Sequence, residues 1–301
     1  MTNLSFLDAH CDTLTTGEHY NQVHLTEEQL ARRGQVFAVC ADGIMQPDDS
    51  FFQQAVSKLK AMPGTALCRT ADEMEQAFRH KQVAAILSIE GADVVGCDEK
   101  RLQRAYETGV RIIGLTHNRY NGLAGTNVEE PELGLTESGR SFAARAAELG
   151  MILDISHLSD RSAEELLAAY HGRVIASHSN ARTLCGHPRN LTDDLFRQLL
   201  DAGGICGINL YTRFLTGSTH AKVEDVIRHI EYFRAMDDRA EFALALGCDF
   251  DGCAYLPDEI QTSPAIYVLA EALLRRNYPE EMVNRLFFEN LYHFLQRTLS
   301  R

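Results

Sequence analysis

The sequence predicts an α/β fold, a single (β/α)8 TIM barrel with C-terminal helices, and three observations carry that prediction. Its 301 residues are 45% hydrophobic and 24% charged, enough for a large core, and barrels of this kind run to about 250 residues as one unit. Eight short apolar, β-branched runs alternate with stretches of helical periodicity, the pattern of buried parallel strands covered by helices. No G-x-G-x-x-G or G-x-x-x-x-G-K-[ST] follows the first run, which removes the nucleotide-binding form of the competing open sheet. Residues 1–301 therefore read as one domain.

Taken in order, the first run, Leu4–Ala9, leads into His10-Cys11-Asp12, and the second spans Val36–Ala41. The third, Val83–Ile89, meets Glu90; the fourth, Val110–Thr116, meets His117 and is followed by a long acidic segment, Asn118–Thr136, a candidate lid or rim. After a helix over Glu137–Leu149, the fifth run, Met151–Ser156, meets His157. A helix over Asp160–Tyr170 precedes the sixth, Val174–Ser177, which meets His178. Helices over Thr192–Ala202 and Lys222–Met236 flank the seventh, Gly204–Leu210, and the eighth, Phe242–Cys248, meets Asp249. Ser, Thr and Asp open many of these helices as N-caps. Pro264–Arg301 reads as two helices that cap or flank the barrel or make a subunit contact, which leaves a homodimer open.

Lys plus Arg is 29 and Asp plus Glu 42, so the net charge is −13, a field that repels phosphate backbones and anionic lipid. Nucleic acid and membrane are thus unexpected partners, and a small molecule is the expected one. No run approaches the roughly 18 apolar residues of a membrane span, and the start MTNLSFLDAHCDT shows no signal-peptide pattern. Eight cysteines lie singly, without a C-x-x-C pair, as reduced thiols do. These features place the protein in the cytoplasm.

In such a barrel the functional groups sit at the carboxyl ends of the strands, and six of the eight runs meet a His, Asp or Glu there. His10 and Asp12, two apart in extended chain, share a face and can converge on one cation. Glu90 ends a buried strand, where an acid is costly unless it is paired or metal-bound. His157 and His178 each arrive on an apolar strand. Three imidazoles and two carboxylates exceed what one tetrahedral zinc with an open position takes, so two ions fit better: His10 and Asp12 on the first, His157 and His178 on the second, Glu90 and a hydroxide between them. The five lysines, Lys58, Lys60, Lys81, Lys100 and Lys222, all miss the strand ends, so a carboxylated-lysine bridge is excluded. Asp249 is placed to move the proton to the leaving amine, with Asp251 as its rival, read otherwise as a turn cap.

The segments DAHCDT, SIEGAD, LTHNRYN, GLTESGRSFAARAAELGMILDISHLSDRS, ASHSNARTLCGHPRNL and GCDFDG, in that order, resemble the renal-type (membrane) dipeptidases of the amidohydrolase superfamily. The resemblance covers most of the chain. It implies a two-zinc site of His10, Asp12, bridging Glu90, His157 and His178, other divalent metals being usable, with Asp249 as catalytic acid/base. It adds His117 as the contact for the substrate carbonyl and its oxyanion, and Arg189 as the clamp for the dipeptide carboxylate. His187 stays open, and His19, His24, His80, His171, His220, His229 and His293 read as surface or packing residues. The implied activity is hydrolysis of small dipeptides, with a D-residue tolerated at the C-terminal position. The alternative is another small amide, an N-acyl amino acid, a lactam or a lactone. Membrane-anchored relatives carry a secretion signal and a lipid-anchor tail; this chain looks like a soluble, bacterial-type member.

Overall fold

The protein is described from a computed structural model over residues 4–16, 31–41 and 47–299. Eight parallel strands close on themselves: β1 (Phe6–Cys11), β2 (Arg33–Cys40), then β4 (Val83–Glu90), β5 (Val110–Gly114), β6 (Ile152–Asp154), β7 (Val174–Ala176), β8 (Ile205–Ile208) and β9 (Leu244–Leu246). Closure comes from the β1–β9 pairing and from β2–β4, which are in register from Gly34↔Ala84 to Cys40↔Glu90.

Between β2 and β4 lies a strand the periodicity does not predict, β3 (Thr65–Leu67), which pairs with Val83–Ala85 of β4. Three residues are too few to show alternation. All eight predicted runs become barrel strands, but several leave the ladder early: β6 stops at Asp154 instead of Ser156 and β9 at Leu246 instead of Cys248. Phe242, predicted to start the last strand, ends a 3-10 turn and is 64% exposed. The physical reason is that hydrophobicity marks burial, while ladder hydrogen bonds end where the chain turns its side chains into the mouth.

Strand alternation divides the core in two. Leu7, Val36, Ile86, Ile112, Ile152, Ile175 and Ile205 point into the barrel, while Phe37, Leu87, Ile113, Leu153 and Leu246 face the helices. The inner cluster continues into Phe288, Leu291, Phe294 and Leu295. The C-terminal segment, a π-turn over Arg285–Glu289 running into a helix over Asn290–Thr298, thus closes the amino end of the barrel. Residues 285–298 form the cap, while the helix over Tyr267–Arg275 flanks the barrel against the helix over Val223–Met236.

The predicted helices form over Glu137–Glu148, Asp160–Ala169, Asp193–Asp201 and Val223–Met236. Thr136, Ser159 and Thr192 accept hydrogen bonds from the amides of Gly139, Ser162 and Leu195 as N-caps. Among the described residues, no helix is long and apolar enough to cross a membrane.

Candidate metal centre and active site

The carboxyl end of the barrel collects the predicted groups around one atom. Glu90 Oε1 lies 2.8 Å from His157 Nε2, 3.3 Å from His178 Nε2 and 3.6 Å from His10 Nε2. His10 Nε2 is 3.6 Å from Asp12 Oδ2 and 3.9 Å from Asp249 Oδ1. The His10 and His178 rings stack at 3.9 Å. Ligand atoms of His10, Glu90 and His178, and of His10, Asp12 and Asp249, close to within 4.8 Å as two sets sharing His10.

The donor set fits divalent cations by a test independent of spacing. His10 Nε2 and Asp12 Oδ1 are buried without a hydrogen-bond partner, a costly state that coordination relieves. Neighbours also fix the tautomers. His157 Nδ1 is 3.0 Å from Asn118 Oδ1, so its N–H donates outward and Nε2 keeps its lone pair for the centre. Ser177 Oγ donates to Asp154 Oδ2 and lies 2.7 Å from His178 Nδ1, which leaves it as the acceptor for that ring N–H.

Charge follows the same arrangement. Burial pushes the His157 and His178 imidazoles well below their ordinary pKa, with Arg189 adding to both; neutral rings are what metal ligation needs. Burial also disfavours the Glu90 carboxylate, but His10, His157 and His117 outweigh it and hold the group well below the usual carboxylate range. At His10 burial is overcome by Glu90 and Asp12, and the imidazolium persists up to about 10. A cation binding there has to displace that proton, so metal affinity falls in acid.

Several of these positions depend on unusual backbone. His157 (φ 71°), Asp249 (φ 61°) and Asp251 (φ 65°) are left-handed, a conformation costing on the order of 1–3 kcal/mol for a non-glycine residue. The 118–136 segment offsets this at His157. It is a packed rim, with Thr126 buried and bridged to Leu158, and the Asn127 amide donates to His157 O at 3.1 Å. At the other side, Asn209 Nδ2 donates to Asp249 Oδ2 at 3.1 Å, leaving Oδ1 toward His10. Asp251 Oδ2 instead accepts from Thr13 Oγ1 at 2.6 Å, which commits the rival acid to a structural contact.

Gly252 makes room for the two aspartates: a Cβ there would stand 2.2 Å from both Asp12 Oδ2 and Asp249 Oδ1. Gly252→Ala is expected to lower both metal content and kcat/KM by about tenfold or more, as displaced ligand neighbours do. Metal analysis and kinetics on the purified variant check this, and unchanged values for both would refute it.

His117 follows β5, half-buried, its ring 4.3 Å from that of His157; with Cys40 and Glu90 it forms a further set of ligand atoms within 4.8 Å of one another. Arg189 is 5% exposed, its Nη2 donates to His178 O at 3.4 Å, and its Nε has no partner. Burial lowers its pKa and Glu90 and Asp249 only partly offset that, and its Nε is left as an unspent donor. His187 is half-buried and accepts from the Arg189 amide at 3.2 Å, a support for that loop. His229 packs as expected, between the Ala181 amide and Leu215 O. His19 and His24 lie outside the described residues. None of the five lysines is on a strand: Lys58, Lys60 and Lys100 are helical, Lys81 follows a helix and Lys222 caps one.

Sequence reasoning missed Asn118, Asn209, Ser177, Asp154, Gly252 and Cys40. The adjacency of Asn118 to His117 and of Ser177 to His178 was the available signal for two of them.

Comparison with known proteins follows the same lines. Residues 50–299 match the family described as membrane dipeptidase, peptidase family M19. An uncharacterized protein in the pqqA 5′ region of Klebsiella pneumoniae is 31% identical over 240 residues, covering 76% of this chain and 88% of that one. A metallo peptidase from Rhodobacter sphaeroides, solved with a phosphinate mimic of the dipeptide L-Ala-D-Ala, superposes with a TM-score of 0.85 at 24% identity, covering 98% of this chain and 99% of its own. The dipeptidase AC, a metallo peptidase of family M19, gives 0.86 at 24% identity with full coverage of both chains.

Proposed function

Since this chain belongs to the membrane dipeptidase family, peptidase family M19, we propose that its barrel mouth hydrolyses small dipeptides, including those with a C-terminal D-residue, on a pair of zinc ions. The observation that carries this is the convergence of three imidazoles on Glu90 Oε1 beside two buried atoms, His10 Nε2 and Asp12 Oδ1, without hydrogen-bond partners. The peptide-bond hydrolase activity follows from the family; the ion count, the zinc and the residue roles are the proposal.

His10 and Asp12 would hold one cation and His157 and His178 the other, with Glu90 as the carboxylate common to both. Bound there, such a pair lowers the pKa of water and polarises a carbonyl. The chain supplies the rest. Asp249 takes the proton on Oδ1, its other oxygen being tied to Asn209, and returns it to the departing amine. His117 donates to the oxygen that gains charge. Arg189 holds the free carboxylate through a planar fork of donors. The R. sphaeroides neighbour's L-Ala-D-Ala mimic supports the D-residue part of this reading. A cytoplasmic setting belongs to the proposal too, supported by eight scattered cysteines, seven of them buried.

The test is a screen of L,L and L,D dipeptides with zinc, cobalt or manganese, alongside metal analysis. About two ions per chain with dipeptide turnover is the expected result; far fewer ions, or a loaded protein inert to every dipeptide, overturns it. Arg189→Met separates this from the alternative of other amides, lactams or lactones. Removing one partner of a buried charge pair costs about 2 kcal/mol or more, roughly thirtyfold in kcat/KM. That loss should appear mainly in KM, for substrates with a free carboxylate, and spare those without one. Equal losses on both kinds would remove the clamp.

A further inference from the structure

The geometry points to a second, inhibitory metal site beside the proposed catalytic pair: Cys40, His117 and Glu90 converge as ligands for a soft divalent cation, cadmium or zinc in excess. This rests on the proposed roles of Glu90 and His117. Cys40 and Glu90 end neighbouring parallel strands and are Cα partners in register. Val36 and Ile86 lie in the inner cluster, and alternation from them puts Cys40 and Glu90 on the same inward face. His117 arrives from the next strand, and Sγ, a carboxylate oxygen and a ring nitrogen come within 4.8 Å of one another.

The donor chemistry selects the ion. A thiolate with an imidazole and a carboxylate suits zinc or cadmium, whereas magnesium, calcium and manganese prefer oxygen. Among the described residues, Cys40 is the one cysteine in such a three-group set. The Cys40 and Glu90 side chains are nearly sealed while His117 is half-buried, so an ion reaches the set past His117. Binding turns the Cys40 thiol into a ligating thiolate and gives its proton to water. The bound ion draws His117 from the substrate oxygen and shares Glu90 with the catalytic pair, so turnover stops while the pair stays filled.

The test titrates zinc-loaded protein with cadmium and follows three signals: ultraviolet thiolate-to-cadmium absorption, metal stoichiometry and dipeptide hydrolysis. Wild type should gain one cadmium beyond its zinc, with the absorption band and a loss of activity of about tenfold or more that a chelator wash restores. Cys40→Ser should hydrolyse dipeptides at close to the wild-type rate, show no band and need at least about ten times more cadmium for the same inhibition. Cys40→Ala, with melting temperatures for both variants, guards against a folding defect. A band that survives in both variants assigns the thiolate elsewhere and overturns the proposal. So does unchanged cadmium inhibition with loss of zinc, which marks replacement within the catalytic pair. Failure of the dipeptidase reading itself is separable: the band and the stoichiometry do not need turnover.

Discussion

Glu90→Gln is expected to abolish the proposed metal pair and with it nearly all activity, lowering kcat/KM by about three orders of magnitude or more, since Lewis-acid assistance is worth several kcal/mol. The substitution keeps shape and removes charge. Glu90 Oε1 is the atom on which His157, His178 and His10 converge, so a neutral amide would leave the two proposed cations without a shared anion. Metal analysis should find well under two ions per chain. The metal-free protein gives a second readout. Glu90 is held well below its ordinary 4.5, so its stabilising contribution is present above about pH 4.5 and lost as pH falls through the depressed value. At pH 7 the variant lacks it entirely and should melt lower than metal-free wild type. Normal metal content with full activity would sink the bridging role.

How much of this is legible in the sequence depends on the kind of contact. Glu90, His157 and His178 announce themselves because each stands at the end of an apolar run, and a barrel delivers such positions to one rim. Their orienting partners do not. Asn118 reaches His157 across 39 residues and Asn209 reaches Asp249 across 40, pairings that exist only once eight strands close. Left-handed backbone at His157 and Asp249 was equally invisible, because neither is a glycine. Gly252 looks like any turn glycine until two carboxylates are seen where its Cβ would be. Arg189 is singled out by resemblance alone; its burial and unpartnered Nε support the proposed clamp. The segment 118–136, readable as lid or rim, is anchored to the barrel by its buried Thr126 and its bonds to the His157 turn.

Asp249→Asn should leave the metals in place and lower kcat by about two to four orders of magnitude with little change in KM, the range for losing a positioned proton carrier. Burial pushes the Asp249 carboxyl up, His10 pulls it down, Asp12 and Glu90 push it up again, and the balance in the metal-free cluster is about 7. A neighbouring divalent charge lowers that value. Wild-type activity should therefore rise with pH through a pKa below about 7, and the Asn variant should lack that limb. The stability effect has the opposite sign from that of Glu90. A carboxyl raised above its unfolded value of 3.8 favours the fold most below that pH, and the benefit is lost as pH rises through about 7. Metal-free wild type should thus lose this contribution to its melting temperature between about pH 4 and 7, a component of the pH dependence that the Asn variant lacks. An unaltered acidic limb in Asp249→Asn would transfer the role to Asp251, whose Oδ2 would then have to release Thr13 to perform it.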